Sequence, residues 1–417
     1  MSEWQRFQLD EVAQIGMGQS PDSTSYNEDE RGYPFLQGCA EFGATYPSVV
    51  YHCDRPTRIA PRGSILISVR APVGSLNRAN ADYCIGRGLG YISQKSADID
   101  YLFYVLLTKR PDLERVSQGS TFEAINSHEL RSLSMDLPPL PQQRKIARIL
   151  TTVDNLIEQT VALIEKYKSI KQGMMHDLFT RGVDSNGRLR PRYEDAPQLY
   201  KETALGWIPK EWDVDELDGV LERVIDYRGK TPTKTDSGIP LVTAKNVRMG
   251  FIDEEPREFI AERAYDTWMT RGIPKEHAVL FTTEAPLANV AQLITSKRIA
   301  FAQRIIILHC NSRMLDSFLK WLLMADGTRK RIFAKGSGST VEGIKQSVFR
   351  RIRVAFPSTI MEQENILHKL VSIESQIDRE HENRKKHQLL KTGLMQDLLT
   401  GKVRVNVDRA KEVTADV

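Results

Sequence analysis

Between Gln142 and Thr180 the apolar residues fall three and four positions apart: Ile146, Ile149, Leu150, Val153, Leu156, Ile157, Leu163, Ile164, Tyr167, Ile170, Met174 and Leu178. That spacing lines one side of an α-helix in a heptad-like stripe. The stretch holds no proline and a single glycine near its end. The Leu-Pro-Pro-Leu-Pro run at 137–141 stops what precedes it and suits the first turn of a helix. Roughly 39 residues at 1.5 Å each make a rod about 58 Å long. The stripe returns far downstream in Ile366, Leu370, Ile373, Ile377, Leu390, Leu394 and Leu398. The middle of this second helix is polar (Glu380, Asn383, Arg384, His387), so it departs from a uniformly dry coiled coil and is expected to be wetter on one side.

The two stripes belong to a repeat. KQGMMHDLFTRGV at 171–183 and KTGLMQDLLTGKV at 391–403 stand 220 positions apart, and the register holds without a gap from 142 to 183. Gln143, Ile146, Leu150, Ile157 and Lys166 thereby meet Gln363, Ile366, Leu370, Ile377 and Lys386. Upstream the likeness continues with small shifts. GSTFEAI (119–125) matches GSTVEGI (338–344), SILISVRAPVG (64–74) matches AVLFTTEAPLA (278–288), GQSP (18–21) matches GKTP (229–232), and EWQRFQLDEV (3–12) matches EWDVDELDGV (211–220). Each half therefore reads as a Trp-led start, a variable body, a Gly-Ser-Thr loop, a proline stop and a long helix.

Short β-type runs cross each body, as at Ser64–Val69, Ala278–Thr282 and Ile305–Leu308, with turn residues between them. Each body also carries a short apolar helix, Tyr101–Thr108 and Leu315–Met324. The expected fold is α+β: two mixed α/β globules separated by two long helices. The boundaries are 1–140 for the first globule, 141–183 for the first helix and 184–204 for a linker. The second globule is 205–358, the second helix 359–403, and 404–417 is a tail. An exposed apolar stripe must be buried. An antiparallel pair within the chain, with pseudo-twofold symmetry, is the simplest way. Packing of each helix on its own globule, or between two chains, are the other ways.

Composition adds limits. With 41% hydrophobic and 27% charged residues, the chain can build packed cores. The formal charge of +4 permits nucleic-acid binding without demanding it. Cys39, Cys53, Cys84 and Cys310 share no CxxC spacing and read as reduced thiols. No apolar run approaches a membrane span, and MSEWQRFQLDEV has no signal core, so a cytoplasmic protein is expected.

No catalytic constellation stands out. The GKT at 229–231 lacks the glycine a phosphate loop needs five positions before Gly229, where Val224 stands. Gly86, Gly88 and Gly90 run into a strand rather than a helix N-terminus, which argues against a dinucleotide site. No methyltransferase Asn/Asp-Pro-Pro-aromatic tetrapeptide and no metal-ligand histidine pattern appears. Basic residues are more telling. Arg329, Lys330, Arg331, Lys335, Lys345, Arg350, Arg351 and Arg353 crowd 327–353 with only Glu342 against them. The bland reading is a solvated face. The matching stretch 108–134 has four basic and four acidic residues, so charge alone does not give both halves one partner.

Taken together, LPPLPQQRKIARILTTVDNLIEQ, the paired helix endings, LGWIPKEW (205–212), GQSP, APVG, CIGRGL and the Gly-Ser-Thr loops make the chain resemble the specificity (S) subunit of type I restriction–modification systems, from about residue 3 to 405. The resemblance implies two target-recognition domains, each reading one half of a split, asymmetric stretch of double-stranded DNA. It also implies helical regions that set the gap between half-sites and dock two modification (methyltransferase) subunits. Restriction (translocase/nuclease) subunits join that complex. The S subunit itself is then non-catalytic and binds no cofactor or metal. S-adenosylmethionine, ATP and Mg belong to its partners, and no membrane is involved.

Candidate DNA-binding residues are Arg70, Arg78, Arg87, Ser120 and Thr121 in the first half. In the second they are Arg228, Lys230, Lys234, Lys245, Arg248, Arg304, Lys335, Ser339, Thr340, Arg350 and Arg351. Their basic groups would neutralise phosphates, and loop side chains would read base edges. A coiled-coil scaffold that bridges proteins without touching nucleic acid is the rival reading. A self-contained nuclease or methyltransferase is a third, opposed by the missing motifs.

Overall fold

The computed structural model describes residues 4–117, 124–227, 231–295, 297–336 and 343–406. The chain forms two compact units, Met1–Ala162 with His381–Val417, and Leu163–Glu380. It is mixed α/β with two long helices, Leu140–Thr180 and Ile360–Leu398.

In the first unit a four-stranded antiparallel sheet has the order Ala13–Met17, Leu89–Gln94, Ile65–Ser68, Leu76–Arg78. A second sheet runs Tyr26–Asn27, Tyr51–Cys53, Tyr33–Leu36, Tyr83–Ile85, Ile59–Ala60, and its Tyr33–Leu36 and Tyr83–Ile85 strands are parallel. The pair Gln5–Gln8 and Ser134–Leu137 closes the body where the long helix begins. The helix Ile99–Ser117 continues well past the apolar segment read from the sequence, through Pro111.

The second unit repeats this plan. Its four-stranded sheet is Leu221–Asp226, Ile305–Cys310, Val279–Thr282, Val290–Gln292. Its second sheet is Lys234–Thr235, Phe259–Ile260, Ile239–Val242, Ala300–Phe301, again with one parallel pair. Trp212–Glu216 with Arg353–Pro357 closes the body. Here the body helix is broken into Asp316–Met324 and Asp326–Lys335, because Ala325 takes an extended ψ of 138°. Residues 184–204 carry structure of their own: Tyr200–Thr203 pairs with Gly206–Pro209 as a hairpin.

The core of each unit draws on both long helices. In the first, Ile146, Ala147 and Leu150 from the start of one helix and Leu398 from the end of the other join Leu9, Ile67, Tyr101 and Leu102. In the second, Ile366 and Leu370 from a helix start and Leu178 from a helix end join Phe281, Phe318, Trp321 and Leu322. Of the helix residues, Ile146, Leu150 and Leu178 match Ile366, Leu370 and Leu398 at the 220-residue register. Within the first unit the two helical segments run in opposite directions. Lys145 Nζ donates to Asn406 O at 2.5 Å, and Lys391 Nζ sits 2.6 Å from Asp154 Oδ1. Within the second unit the same holds: Lys171 Nζ is 2.8 Å from Glu374 Oε1, and Val183 N donates to Glu362 Oε1 at 3.1 Å.

One buried glutamine fixes each body to the start of the helix that follows it. Gln143 accepts from Asp98 N at 2.9 Å and donates to Pro138 O at 2.8 Å. Gln363 accepts from Leu315 N at 3.0 Å and donates to Arg313 O and Pro357 O. Each amide thus satisfies backbone groups that have no water to turn to. In the second unit Glu362 adds a buried network. It accepts from both Arg190 nitrogens at 2.5 and 2.9 Å and from Trp212 Nε1 at 2.9 Å. Burial works against the Arg190 charge, yet hydrogen bonding to Glu362 and its negative charge leave the arginine pKa raised.

Candidate nucleic-acid interface

In each body several loops gather at one end of the four-stranded sheet. In the first unit the loop after Met17 lies against the loop before Leu89: Gly18 N donates to Leu89 O at 2.8 Å and Gln19 N to Ile85 O at 3.1 Å. Arg87 N donates to Ser20 Oγ at 3.3 Å. The loop after Ser68 joins them through Val69 N and Gly88 O at 2.9 Å. Ile125 N donates to Val69 O at 3.0 Å, and Arg70 forms a β-bridge with Ala124. The glycines of this corner allow close packing of the main chain. A Cβ on Gly18 would come within 2.1 Å of Gly86 O, and one on Gly88 within 2.8 Å of Gln37 O. Arg70 and Arg87 are exposed on this corner and have no ion pair among the described residues.

The second unit builds the same corner with other chemistry. Thr283 N donates to Arg304 O and Ile344 N to Thr283 O, both at 2.9 Å, and Glu284 bridges Gly343. Gln303 Nε2 reaches Thr231 Oγ1 at 3.2 Å. Glu284 occupies the place Arg70 has in the first unit, and Arg304 Nε pairs with Glu284 Oε1 at 2.8 Å. Ser120, Thr121, Arg228, Lys230, Ser339 and Thr340 lie outside the described residues.

The remaining candidates are dispersed. Arg78 is half-buried, paired with Asp100 and placed 4.1 Å over the Phe103 ring, so it holds the body helix on the sheet. Lys234 pairs with Glu258 at 2.8 Å and Arg248 with Asp253 at 3.3 Å. Lys245 and Lys335 are exposed, Lys335 at the end of its helix. Arg350 is paired with Asp218, a partner far away in sequence, while Arg351 beside it is exposed.

The basic run at 327–353 is not one solvated face. Arg329 donates to Ala288 O at 2.6 Å, and burial pushes the pKa of both Arg329 and Arg331 down. Among the described residues no group of three or more His, Cys, Asp or Glu is placed to hold a metal ion.

Sequence reasoning missed several pairings. Lys171 with Glu374, and Lys391 with Asp154, lie at matching repeat positions, and each lysine also faces an aromatic ring: Trp321 at 4.9 Å and Tyr104 at 5.6 Å. The recurrence of Lys171 as Lys391 and of Gln143 as Gln363 was the available signal. The exposed aromatics Tyr46 and Phe251, each near the tip of a hairpin loop, carried no signal at all.

Two bodies of one plan, each ending in a loop corner and each joined to segments of two long helices, have counterparts among known proteins. Residues 1–166 match the family model of the type I restriction modification DNA specificity domain. The MjaX protein of Methanocaldococcus jannaschii, assigned as a type I restriction enzyme specificity subunit, is 41% identical over 182 residues, 43% of either chain. The MjaVIII specificity subunit of the same organism is 27% identical over 321 residues, 75% of this chain and 73% of that one.

The match therefore spans less than half the length of the first of these relatives. The solved S subunit of a type I restriction–modification system from M. genitalium shares the fold, with a TM-score of 0.58 at 15% identity over 95% of this chain and 96% of that one. A chain from a structure of a type I system described for its complex assembly and conformational transition has a TM-score of 0.54, also at 15% identity, covering 96% of this chain and 98% of that one. The chain is thus similar to specificity subunits of type I restriction–modification systems, with the match to the family model over residues 1–166. Among the described residues no helix is long and apolar enough to cross a membrane.

Proposed function

We propose that this chain is the DNA-sequence-recognition subunit of a type I restriction–modification complex. Each body reads one half of a split, asymmetric target, and the two long helices pair antiparallel as the spacer between half-sites and as the dock for two modification subunits. The chemistry is performed by those partners with S-adenosylmethionine, and by restriction subunits with ATP and Mg. This chain contributes position only.

The observation that carries the reading is the double use of each helix. Every unit combines one body, the start of the helix that follows it and the end of the other helix, through contacts that recur at the 220-residue register. Such an arrangement suits a ruler with an equivalent end at each pole. The shielded positions support it. Ile146, Leu150, Val153, Ile157, Thr160, Ile164, Tyr167, Lys171, Met174 and Leu178 keep strict four–three spacing, and Ile366 to Leu398 do the same. The loop corners suit DNA because exposed Arg70 and Arg87 can meet phosphates there while loop side chains approach base edges.

Methylome sequencing of cells carrying the chain with its modification subunit tests the function. A bipartite adenine-methylated motif is expected, and unmethylated DNA beside an active modification subunit would refute it. The ruler has its own test. One heptad inserted after Thr160 and one after Glu380 keeps the seam in phase and lengthens each helix by about 10 Å. The gap between methylated half-sites should grow by about three base pairs at roughly 3.4 Å each. An unchanged gap removes the ruler.

A further inference from the structure

The internal repeat allows one chain to be compared with itself. Along the long helices most solvent-facing positions differ between the copies, as in Arg144/Glu364, Arg148/His368, Gln159/Arg379 and Ala162/Glu382. Exposed identity survives at Lys166/Lys386, Gly173/Gly393 and Thr180/Thr400. The threonines are engaged within their own helix, since Thr180 Oγ1 donates to His176 O at 2.8 Å and Thr400 Oγ1 to Gln396 O at 2.6 Å. The lysines and glycines have no such role. Lys166 and Lys386 lack an ion pair among the described residues.

Both glycines lie inside a helix and at ordinary negative φ, and a Cβ on either would meet nothing within 4 Å. Glycine in an exposed helix interior is less stable than alanine, because it leaves more backbone freedom to be lost on folding. Nothing in the packing of the described residues asks for it, and it stands there twice. Between each lysine and glycine an aliphatic side chain faces solvent, Ile170 at 41% exposure and Leu390 at 49%. The three positions are spaced i, i+4 and i+7, so they share one face of the helix.

We propose that Lys166–Ile170–Gly173 and Lys386–Leu390–Gly393 are two equivalent seats for two copies of one protein partner. This rests on the reading above, in which that partner is the modification subunit. The missing Cβ lets partner atoms lie directly on the helix backbone, the aliphatic residue gives the contact its apolar area, and the unpaired lysine calls for a carboxylate on the partner. Duplication selects the occupant. The recognition bodies diverge because they read different sequence, whereas a seat kept the same in both copies must meet the same molecule twice. Nucleic acid is disfavoured, since the stripe exposes an aliphatic side chain and only one cation.

The test uses the full chain co-expressed with its modification subunit. Stoichiometry is read by native mass spectrometry, and the melting temperature of the isolated chain is measured alongside. Gly173→Ala with Gly393→Ala should raise the melting temperature yet weaken partner binding at least tenfold; a purely structural glycine would not lower partner binding. Gly173→Leu alone should leave one modification subunit bound where the parent binds two. Lys166→Glu with Lys386→Glu should also weaken assembly while leaving DNA binding by the isolated chain unchanged.

If the parent assembles and all three variants assemble equally well, the seats are refuted and the functional reading stands. If the parent itself binds no modification subunit, the reading falls and the seats with it. Loss of self-association in the variants, with modification-subunit binding intact, would reassign the stripe to a second copy of this chain and overturn the proposal.

Discussion

The two bodies share a strand plan and differ most where their loops meet. At the corner of the four-stranded sheet the first unit presents Arg70, exposed and without an ion pair among the described residues, and the second presents Glu284 held by Arg304. The backbone frame is the same in both, down to the hydrogen bonds Val69 N to Gly88 O and Thr283 N to Arg304 O. A fixed frame with exchanged charges suits the proposed reading of two different half-sites: the main chain holds the loops, and the side chains are free to vary. The helix ends show the opposite behaviour, since the residues that join body to helix are retained in both copies.

The largest expected effect breaks the comparison at a place where the units differ. Glu362→Ala removes the acceptor for Arg190, Trp212 Nε1 and Val183 N and leaves the buried arginine only the longer 3.6 Å ion pair to exposed Glu211, so it should destabilise the second unit by about 3 kcal/mol. Denaturant unfolding checks it, and a loss under about 1 kcal/mol would mean water reaches the site.

The next effect sharpens a likeness. Gln363→Ala and Gln143→Ala each strand buried backbone groups, at about 1–3 kcal/mol for each group left unpaired. Gln363 serves three backbone groups and Gln143 two, so the second-unit variant should be the worse. Equal losses would show that the two braces carry the same load.

On DNA, Arg70→Ala should lower affinity about tenfold and reduce the salt slope by about one, the signature of a lost phosphate contact. Glu284→Ala, which releases Arg304, should tighten binding and steepen the slope. If both variants bind like the parent, the corners do not touch DNA. The smallest effect separates two neighbours. Arg351→Ala should weaken DNA binding a few-fold, whereas Arg350→Ala, whose side chain is occupied by Asp218, should cost only about 0–1 kcal/mol of stability. A reversed result would move the contact to Arg350.

The long helices were legible because heptad spacing and a gapless repeat are local properties of sequence. The β-runs at 65–68, 279–282 and 305–310 were legible for the same reason. What each basic residue does was not, because its partner is remote. Arg78 is held by Asp100 and Phe103, Arg350 by Asp218, and Arg329 by Ala288 O. Counting charges along a window cannot reveal that three-dimensional neutralisation. The polar middle of the second helix was visible as a break in the apolar stripe, yet Glu380, Arg384 and His387 keep the same four–three positions and are half-shielded from solvent. The stripe continues there in position although not in polarity.

The division of the chain also sets an order of events during synthesis. The second unit is a single continuous stretch, Leu163–Glu380, whereas the first is closed only by residues beyond His381, including Lys391 and Leu398. A nascent chain therefore emerges with its amino-terminal body made first and finished last. That body must wait, with the apolar side of Ile146 and Leu150 lacking its final cover, until the last helix has left the ribosome.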